Sequence, residues 1–387
     1  MISTLIVVLC LIIGSVNHVI YGIQNTLKED LELEKQLKLI NKPPIKSIYT
    51  EFGDIVDCID INKQPAFDHP LLKNHKLQRK PNFGKTSVKT SPARSIFGLD
   101  KDKCPLGTVP IRRTTKDDLI REKSLLNDHM IMTQKAPGIH VAEVSLKSRF
   151  GPYYGVNGTN SIYNPKLDRT DQITLSNLWV QNGQGDAGNK ISVGWHVLPY
   201  LYGNDATHFY STWTSDNYKK TGCYNIRCPG FVQTSKGYYP GARAPNTSTY
   251  GGIMIEVELS ISQDPVTKNW WFQWNGINVG YFPAALFSNL ASADQVGWGG
   301  RTRPPPGTPS PPMGSGHFPD YNIVHACYFT FVSYRDASGK NHGPEVNQIK
   351  TFTDNSDCYG VKYYGYIPKP NVGHVLQFGG PGGNCGN

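Results

Sequence analysis

The chain has 387 residues, a formal net charge of +9 at neutral pH and 38% hydrophobic residues, so it is long enough for more than one folded unit. Lysine and arginine are spread along the chain without an arginine-rich run, which disfavours a nucleic-acid-binding protein and favours a soluble basic protein. No stretch reaches the roughly 18 apolar residues that a membrane helix needs, so no membrane span is predicted.

The first 22 residues are predicted to be a secretory signal peptide. An uninterrupted apolar run extends from Leu5 to Ile13, and small residues follow at Gly14, Ser15 and Gly22. The run is too short to span a bilayer, although it has no preceding lysine or arginine, and an N-terminal anchor is the alternative. We expect cleavage near residue 22 and a secreted protein, with extracellular, vacuolar and cell-wall destinations open.

The cysteine content agrees with secretion. Of the eight cysteines, Cys10 lies in the signal peptide and seven remain, which should pair in an oxidising compartment. In that compartment, the Asn-Gly-Thr sequence at Asn157 and the Asn-Thr-Ser sequence at Asn246 are N-glycosylation sequons. The sequence therefore predicts a disulfide-bonded glycoprotein.

Two charged helices are predicted in the first third of the chain. The first spans residues 25–42, with acidic residues in its first turns, where the helix dipole favours them, and Pro43 ends it. The second spans about 116–127. Their position ahead of a β-rich region suggests a pro-segment.

After about residue 135 the composition changes to Tyr, Trp, Gly, Thr and Ser, and short alternating segments recur between turn residues. Such strands without intervening helices predict an all-β antiparallel sandwich or barrel. Residues 301–313 form a proline-rich loop, which cannot be a central strand and is expected to be mobile or partly polyproline II. The predicted strands include residues 176–181, 208–213, 252–261, 270–276 and 325–334.

The segment ISVGWHV, residues 191–197, alternates with the period of a half-buried strand. One face carries a hydroxyl, bare backbone and an imidazole, from Ser192, Gly194 and His196. The opposite, apolar residues, which are expected to pack inward, are Ile191, Val193, Trp195 and Val197.

A serine hydrolase is disfavoured by distance. Ser192 and His196 would lie about 13 Å apart along a strand, whereas a nucleophile and its base need contact at about 3 Å. Ser315 and His317 would lie about 7 Å apart by the same rise per residue, and their segment lacks the nucleophile-elbow pattern. Neither pair is therefore predicted to be catalytic.

The sequence gives little support for metal, cofactor or cysteine chemistry, which leaves acid chemistry. There is no H-E-x-x-H motif and no phosphate-cradling glycine motif, so neither a metal nor a cofactor is predicted. Cys223 and Cys228 lack the second half of a zinc site and are better interpreted as a disulfide, and Cys327 as a buried thiol. Glu256 and Glu258 share one strand face, although a solvated face explains that alternation equally well.

Long stretches of the chain resemble the neprosin family. The sequences VDCIDINKQPAFDHPLLKNHKLQRKPNF (56–83) and CPLGTVPIRRT (104–114) are similar to the neprosin activation peptide. The sequences VGWHVLPYLYGN, YSTWTSDNYKKTGCYNIRCPGFVQT and the C-terminal MGSGHF, CY and FGGPGG motifs are similar to the neprosin domain. The resemblance implies an antiparallel β-sandwich with a concave groove, made as a zymogen with a signal peptide (1–22), a small helix-containing pro-segment (23–134) and a neprosin domain (135–387).

The family also implies an activity that two positions of this chain put in doubt. Its characterised members resemble glutamic prolyl endopeptidases, in which two groove glutamates activate water and transfer protons. The pattern around the first glutamate is roughly I-E-A-G-W, and here Ser192 takes its place; the second lies in F-G-G-E, and here Arg301 takes its place. Arginine stays protonated, and an unassisted serine hydroxyl is no general base, so the peptidase activity is not carried over.

Three functions follow as hypotheses. The first is a catalytically inactive neprosin-domain protein whose groove, with Ser192 and Arg301 facing each other, binds extended peptide or cell-wall material. The second is an active secreted endopeptidase that uses other acids, with Glu256 and Glu258 as the nearest candidates. The third is an interaction protein of the cell surface. The groove candidates, with core packing as the alternative for the tryptophans, are Gly194, Trp195, His196, Trp213 and Trp298.

The remaining predictions concern pairing and processing. The pro-segment is expected to pack on the mature domain as a separate unit, joined by a cleavable link near 124–135. Cys327 is expected to stay a free buried thiol. The predicted disulfides are Cys58–Cys104 within the pro-segment, Cys223–Cys228 across a tight turn, and Cys358–Cys385 at the C-terminal tail.

Overall fold

The computed structural model describes residues 28–83, 99, 103–125 and 138–386, without the side chains of 122–125. The predicted signal peptide and most of the predicted cleavable link lie outside these residues. Helix α1 spans 28–40 and helix α2 spans Lys116–Leu125, which confirms both predicted helices. A short third helix, α3, spans Pro199–Tyr202. None of the described helices is long and apolar enough to cross a bilayer.

The pro-segment contains a three-stranded antiparallel sheet, with β1 (Lys46–Tyr49), β2 (Ile55–Asp60) and β3 (Thr108–Arg112) in that order. The Cys58–Cys104 disulfide ties β2 to the segment before β3. Ile59 and Val109 form a small cluster of their own, whereas Ile48 and Val56 of the same sheet belong to the main hydrophobic core.

The rest of the chain forms two larger sheets. The seven-stranded sheet has the order β17-β4-β14-β6-β7-β8-β9, and the nine-stranded sheet has the order β10-β13-β12-β11-β5-β15-β19-β18, with β16 beside β15. The strands in chain order are β4 (His140–Leu146), β5 (Gly155–Ser161), β6 (Ile173–Asn182), β7 (Asn189–Val197), β8 (Thr207–Thr214), β9 (Cys223–Tyr224), β10 (Val232–Gln233), β11 (Glu256–Gln263), β12 (Trp270–Trp274), β13 (Ile277–Phe282), β14 (Gln295–Arg303), β15 (Cys327–Arg335), β16 (Asn341–His342), β17 (Ile349–Thr353), β18 (Gly360–Ile367) and β19 (Gly373–Gly379). All their pairings are antiparallel, which confirms the predicted sandwich behind a small helix-containing segment.

The hydrophobic core lies between the two sheets, and tryptophans hold them together. Trp195 Nε1 donates to the Ser161 carbonyl at 2.9 Å, and Trp298 Nε1 donates to the Asn157 carbonyl at 2.9 Å, each from one sheet to the other. Trp213 is buried in the same cluster. The prediction that these three tryptophans line a groove is therefore wrong, because they occupy the inward positions of their strands and fill the core.

The three predicted disulfides form, and Cys327 is a free, fully buried thiol whose pKa is raised by burial to about 12.

The two predicted glycosylation sequons differ in exposure. Asn246 is exposed in a loop, whereas Asn157 lies buried in central strand β5 with its amide donating to Ser333 Oγ at 3.2 Å. Burial of the Asn157 amide disfavours a glycan there on the folded chain, and glycosylation at both sequons stays a prediction.

The predicted proline-rich loop is only partly a loop. Its first three residues end strand β14, which lies between β4 and β6, so the prediction that none of residues 301–313 is central strand is wrong for them. The remainder is fixed to the C-terminal tail by the bridges Ser310–Gly383 and Met313–Gly380.

The pro-segment packs against the edge of the nine-stranded sheet. Gln64 exchanges two hydrogen bonds with the backbone of Gln233 in edge strand β10. Asp264 accepts from Asn82 N at 2.6 Å and from Gln78 Nε2 at 2.7 Å. Burial opposes ionisation of Asp264, but these donors prevail and lower its pKa to about 2. These contacts fit the prediction that the pro-segment packs on the mature domain.

Candidate functional site on the seven-stranded sheet

The register places the two substituted family positions on the same face of the seven-stranded sheet. Ser192 of β7 pairs with Trp179 of β6, and Arg301 of β14 pairs with Leu175 of β6. Positions 175 and 179 share a face because strand side chains alternate. We call this outward face the Ser192 face. Since β7 and β14 flank β6 in one sheet, Ser192 and Arg301 lie on one face with strand β6 between them, and that they face each other across a groove stays a prediction.

Arg301 forms a buried ion pair with a carboxylate that the sequence analysis did not identify. Its Nε donates to Glu143 Oε1 at 2.7 Å and its Nη2 donates to Glu143 Oε2 at 3.1 Å. Both side chains are almost fully buried. Burial opposes the charge of Arg301, but the Glu143 carboxylate outweighs burial and raises the pKa of the guanidinium. This bidentate pairing is the strong form of a charge-assisted hydrogen bond.

A second cation lies on the same face. Lys190, at the start of β7, is 3% exposed and holds its ammonium 4.7 Å from the centre of the Trp179 ring. Burial, and then the nearby Arg301, lower the pKa of Lys190 to about 7, against the opposing attraction of Glu143. The site thus holds two basic side chains and one acid.

Ser192 is part of a buried polar cluster. Its Oγ accepts a hydrogen bond from Asn177 Nδ2 at 2.8 Å. Burial raises the pKa of the Tyr210 hydroxyl, and the nearby Ser192 and Asn177 side chains oppose that rise. The Tyr210 hydroxyl makes no hydrogen bond of good geometry to either side chain. Asn177 Oδ1 and the Tyr210 hydroxyl are buried without a partner, and such atoms cost about 1–3 kcal/mol each when nothing satisfies them.

His196 lies on this face but is enclosed by aromatic rings. It stacks on Tyr210 with ring centres 4.5 Å apart and shares a hydrogen bond of 2.9 Å with the Tyr202 hydroxyl. Burial, and then His208, lower the pKa of His196 well below its ordinary value. It is therefore a neutral packing residue, and its place on the same strand keeps it away from Ser192 as predicted from the strand rise.

The absence of a side chain at Gly194 is explained by the packing of the neighbouring strand. A β-carbon at this position would collide with the carbonyl oxygen of Ser176 and the Cα of Asn177 on the neighbouring strand. The bare backbone is needed for the approach of β6, so strand packing and not a ligand accounts for the predicted groove residue Gly194.

The Ser192 face is covered at one end. Helix α3 places Leu198, Leu201 and Tyr202 on Tyr210 and Leu175, which form one apolar cluster on this face. Tyr218 also reaches in, and its hydroxyl lies 3.1 Å from Thr212 Oγ1. At this end the Ser192 face is therefore covered in the described structure.

The pro-segment reinforces that cover. Helix α2 packs against α3, and Arg112 lies over the Tyr202 ring at 5.8 Å. Asp118 of α2 pairs with Arg112 and Arg121, and its backbone carbonyl accepts from Arg227 Nη2 at 3.4 Å. Removing the pro-segment would release these contacts from the rim of the Ser192 face.

Glu256 and Glu258 lie on the opposite side of the molecule. Their strand, β11, belongs to the nine-stranded sheet, and the intervening Val257 points into the core. We call this outward side of the nine-stranded sheet the Glu258 face. Tyr328 donates to Glu256 Oε1 at 2.6 Å, and burial raises the pKa of Glu258 to about 7. Since the whole core separates them from Ser192, they are wrong as substitute acids for that site.

The two residues that the sequence analysis missed are Glu143 and Lys190. Glu143 is the one acidic residue in the strand HVAEVSL, and Lys190 directly precedes the ISVGWHV segment. A charge inside a strand that is buried on both faces is a usable signal, because such a charge needs a partner. Among the residues that the structure describes, no group of three His, Cys, Asp or Glu side chains is arranged to hold a metal ion.

Several solved structures are similar to this chain, among them three peptidase structures. One is scytalido-glutamic peptidase with a peptide-based transition state analog, at 8% identity, covering 63% of this chain and 100% of that chain with a TM-score of 0.33. Another is scytalido-glutamic peptidase with a transition state analog inhibitor, at 9% identity, covering 64% of this chain and 99% of that chain with a TM-score of 0.33. The third is SCP-B, a member of the Eqolisin family of peptidases, with the tripeptide Ala-Ile-His. It is 8% identical and covers 63% of this chain and 97% of that chain, with a TM-score of 0.30.

Comparison with protein families agrees with the sequence motifs. The profile of the family described as Neprosin activation peptide matches residues 47–148, which include the three-stranded sheet, α2 and strand β4. The profile of the family described as Neprosin matches residues 170–381, more than half of the chain and most of both large sheets. The chain belongs to the neprosin family.

Proposed function

We propose that this protein is a secreted, catalytically inactive neprosin-domain protein whose Ser192 face binds an extended peptide after the pro-segment is displaced. The observation that carries the proposal is the buried Arg301–Glu143 ion pair. It occupies the place where the family resemblance implies a catalytic carboxylate. The paired cysteines and the resemblance to a signal peptide support secretion.

The site lacks a working acid and base. For Glu143 to take a proton from water, it would have to give up two charge-assisted hydrogen bonds from Arg301. The guanidinium itself neither accepts a proton nor gives one up at ordinary pH. Since each positioned acid or base contributes roughly 10²–10⁴ to a rate, replacement of both removes the chemistry that the fold would otherwise support.

The polar cluster supports binding of a peptide backbone. Asn177 Oδ1 is an acceptor and the Tyr210 hydroxyl is a donor, and both are buried and unpartnered. An extended peptide presents alternating N–H and C=O groups at strand spacing, which can satisfy one of each. The surrounding rings of Tyr202, Tyr210 and Tyr218 offer apolar area for its side chains.

The cover over this face makes binding conditional. Helix α3 and Tyr218 close the site, and pro-segment helix α2 packs on α3. We expect the full chain to bind weakly and the chain without its pro-segment to bind more tightly, because the packing of α2 on α3, the Arg112 contact with Tyr202 and the Arg227–Asp118 hydrogen bond are then lost from the rim.

The test uses a fluorescently labelled, proline-containing decapeptide and measures anisotropy before and after limited proteolysis near 124–135. Processing should tighten binding by about tenfold or more, because the ligand no longer has to displace the autoinhibitory contact of the pro-segment. Asn177→Leu should weaken binding by about tenfold, since one hydrogen bond is lost and Ser192 loses its donor. The exposed amide variant Asn246→Gln is the matched control and should bind as the wild type does.

Two results would contradict the proposal. Equal binding by wild type and Asn177→Leu, with both proteins folded by thermal unfolding, would remove the Ser192 face as the binding site. Mass spectrometry of the same mixtures provides the second result: hydrolysed decapeptide would show an active endopeptidase.

A further inference from the structure

A separate cleft opens at the far end of the Glu258 face, with a volume of about 400 Å³. That volume lies within the roughly 300–1,000 Å³ typical of small-ligand sites. Its floor is formed by Val375 and Gln377 of β19, and the hairpin that joins β18 to β19 supplies Val372 and Lys369. The opposite wall is the loop from Asp320 to Ile323. No contact of the pro-segment described above reaches this region.

A buried glutamine fixes the geometry of this cleft. Gln377 is 2% exposed, and its Oε1 accepts from Tyr321 N at 2.9 Å and from the Tyr364 hydroxyl at 2.9 Å. Its Nε2 donates to the Asn322 carbonyl at 2.8 Å. One side chain therefore ties the loop to the sheet, with its oxygen engaged by two donors and its amide nitrogen by one acceptor. Gln377 is a positioning residue.

The network holds an exposed aromatic ring in place. Tyr321 has a φ of 76°, a left-handed conformation that residues with a β-carbon seldom adopt. Its side chain is nevertheless 59% exposed and meets Tyr364 edge to face, with ring centres 5.1 Å apart at 78°. Strained backbone that keeps a large aromatic ring in solvent at the mouth of a cleft is typical of a ligand contact rather than of packing.

The polar groups around the cleft define the ligand class. Asp320 and Lys369 bring one charge of each sign, so the rim carries no net charge to attract a strongly charged ligand. The Asp320 carboxylate accepts from Asn322 N and pairs with His325, and still has acceptor capacity left. Donors and acceptors beside an aromatic face and aliphatic side chains suit a pyranose ring, which has C–H faces and hydroxyl edges.

We propose that this cleft binds a hexose or pentose unit of a neutral polysaccharide, with the sugar ring packed on Tyr321 and its hydroxyls bonded to Asp320, Asn322 and Lys369. A proline-rich peptide fits less well, because the two tyrosines meet edge to face and do not form a slot between parallel rings. The site is independent of the Ser192 face.

The test is native affinity electrophoresis of the full chain through gels that contain a soluble neutral β-glucan, a xylan or a mannan, with anionic polygalacturonate in a fourth gel. At least one neutral polysaccharide should retard the protein. Tyr321→Ala should weaken that association about tenfold, the usual scale for one lost aromatic anchor. Tyr366→Ala is the matched control, because Tyr366 is 66% exposed on β18, the strand that also carries Tyr364, but does not line the cleft, and it should migrate as the wild type does.

Thermal unfolding of each variant establishes that it is folded, and Tyr321→Phe should retain binding because it keeps the ring. The proposal is overturned if no neutral polysaccharide retards the wild type, if Tyr321→Ala is retarded equally, or if only polygalacturonate retards the protein. Binding of a labelled proline-rich peptide that is lost in Tyr321→Ala would assign the cleft to peptide and would likewise overturn it.

Discussion

The Ser192 face and the Glu258 face are built from the same strand alternation, but they treat charge in opposite ways. On the Ser192 face, Arg301 and Glu143 neutralise each other in full burial. On the Glu258 face, Glu256 and Glu258 are partly exposed, and burial without a cationic partner raises the pKa of both carboxyls. The face with the family's catalytic positions thus has its acid paired, and the face with protonatable acids lies on the wrong sheet.

This difference separates two uses of a polar residue in a strand. A paired charge in the interior stabilises only while both partners remain, because either one alone pays the full desolvation penalty. An unpaired carboxyl near the surface instead changes its protonation state. The comparison therefore predicts opposite responses of the two faces to mutation and to pH.

The largest effect is expected from Glu143→Gln. This change leaves Arg301 charged and buried without its partner, so the free energy of unfolding should fall by about 3–5 kcal/mol in urea titrations. Glu258→Gln at pH 5, where the folded carboxyl is already protonated, is the matched control and should change it by less than about 1 kcal/mol. A small loss in Glu143→Gln would show that the ion pair is not buried as described.

The double variant Glu143→Leu, Arg301→Met completes this test. Since both charges are removed together, most of the lost stability should return. A double variant as unstable as Glu143→Gln would mean that packing, and not the unpaired charge, causes the loss.

The next effect concerns acid. Burial lowers the pKa of His208 on the Ser192 face to about 4, whereas the unfolded value is about 6.5. Its stabilising contribution is complete above pH 6.5 and is lost as the pH falls towards 4, because only the unfolded chain takes up the proton. We expect wild type to lose roughly 2–3 kcal/mol more than His208→Gln between pH 7 and pH 4. Parallel stability curves for the two proteins would contradict the assignment.

Glu258 should respond with the opposite sign and more weakly. Its folded pKa of about 7 lies above the ordinary value of 4.5, so its stabilising contribution is present below pH 4.5 and is lost as the pH rises through 7. Because the side chain is partly exposed, solvent reduces the effect to about 1–2 kcal/mol. Glu258→Gln should therefore be more stable than wild type at pH 8 and equal to it at pH 4, by urea unfolding at the two pH values.

The smallest effect tests how closed the nine-stranded sheet is. Asn246 is exposed, and Asn157 is buried beside Ser333, so peptide mapping of secreted protein should find a glycan at Asn246 alone. Asn246→Gln should remove that mass and change stability by less than about 0.5 kcal/mol. A glycan mapped to Asn157 would show that strand β5 is accessible.

Much of the fold could be predicted from the sequence because period-two alternation and paired cysteines report local and covalent constraints. The strand containing ISVGWHV and the three disulfides are examples. Burial of the second face of that strand could not be predicted, because the cover comes from α3 and Tyr218, which are distant from several of the strands they cover. Alternation separates two faces but does not say whether the polar one meets water.

The candidate site shows the same limit. The family positions at Ser192 and Arg301 could be found from motifs, but Glu143 lies 158 residues from Arg301 and becomes its partner only through the pairing of β4 with β14. Glu256 and Glu258 are candidate acids from the sequence because a sequence pattern does not say which of the two sheets a strand joins. Their strand joins the sheet that does not contain Ser192. The tryptophans lie in the expected sheet but on its inward face, which alternation alone does not identify.

The most direct test of the central claim, that the Ser192 face has no catalytic acid–base pair, is hydrolysis by the wild type after removal of the pro-segment. Proline-containing peptides are incubated with the purified protein at pH 2 to 8, and products are identified by mass spectrometry. The structure predicts no cleavage above background at any pH, because Glu143 stays bound to Arg301. Cleavage after proline that is abolished in folded Glu143→Gln, and unchanged in Glu258→Gln, would contradict the claim and would identify Glu143 as the working acid.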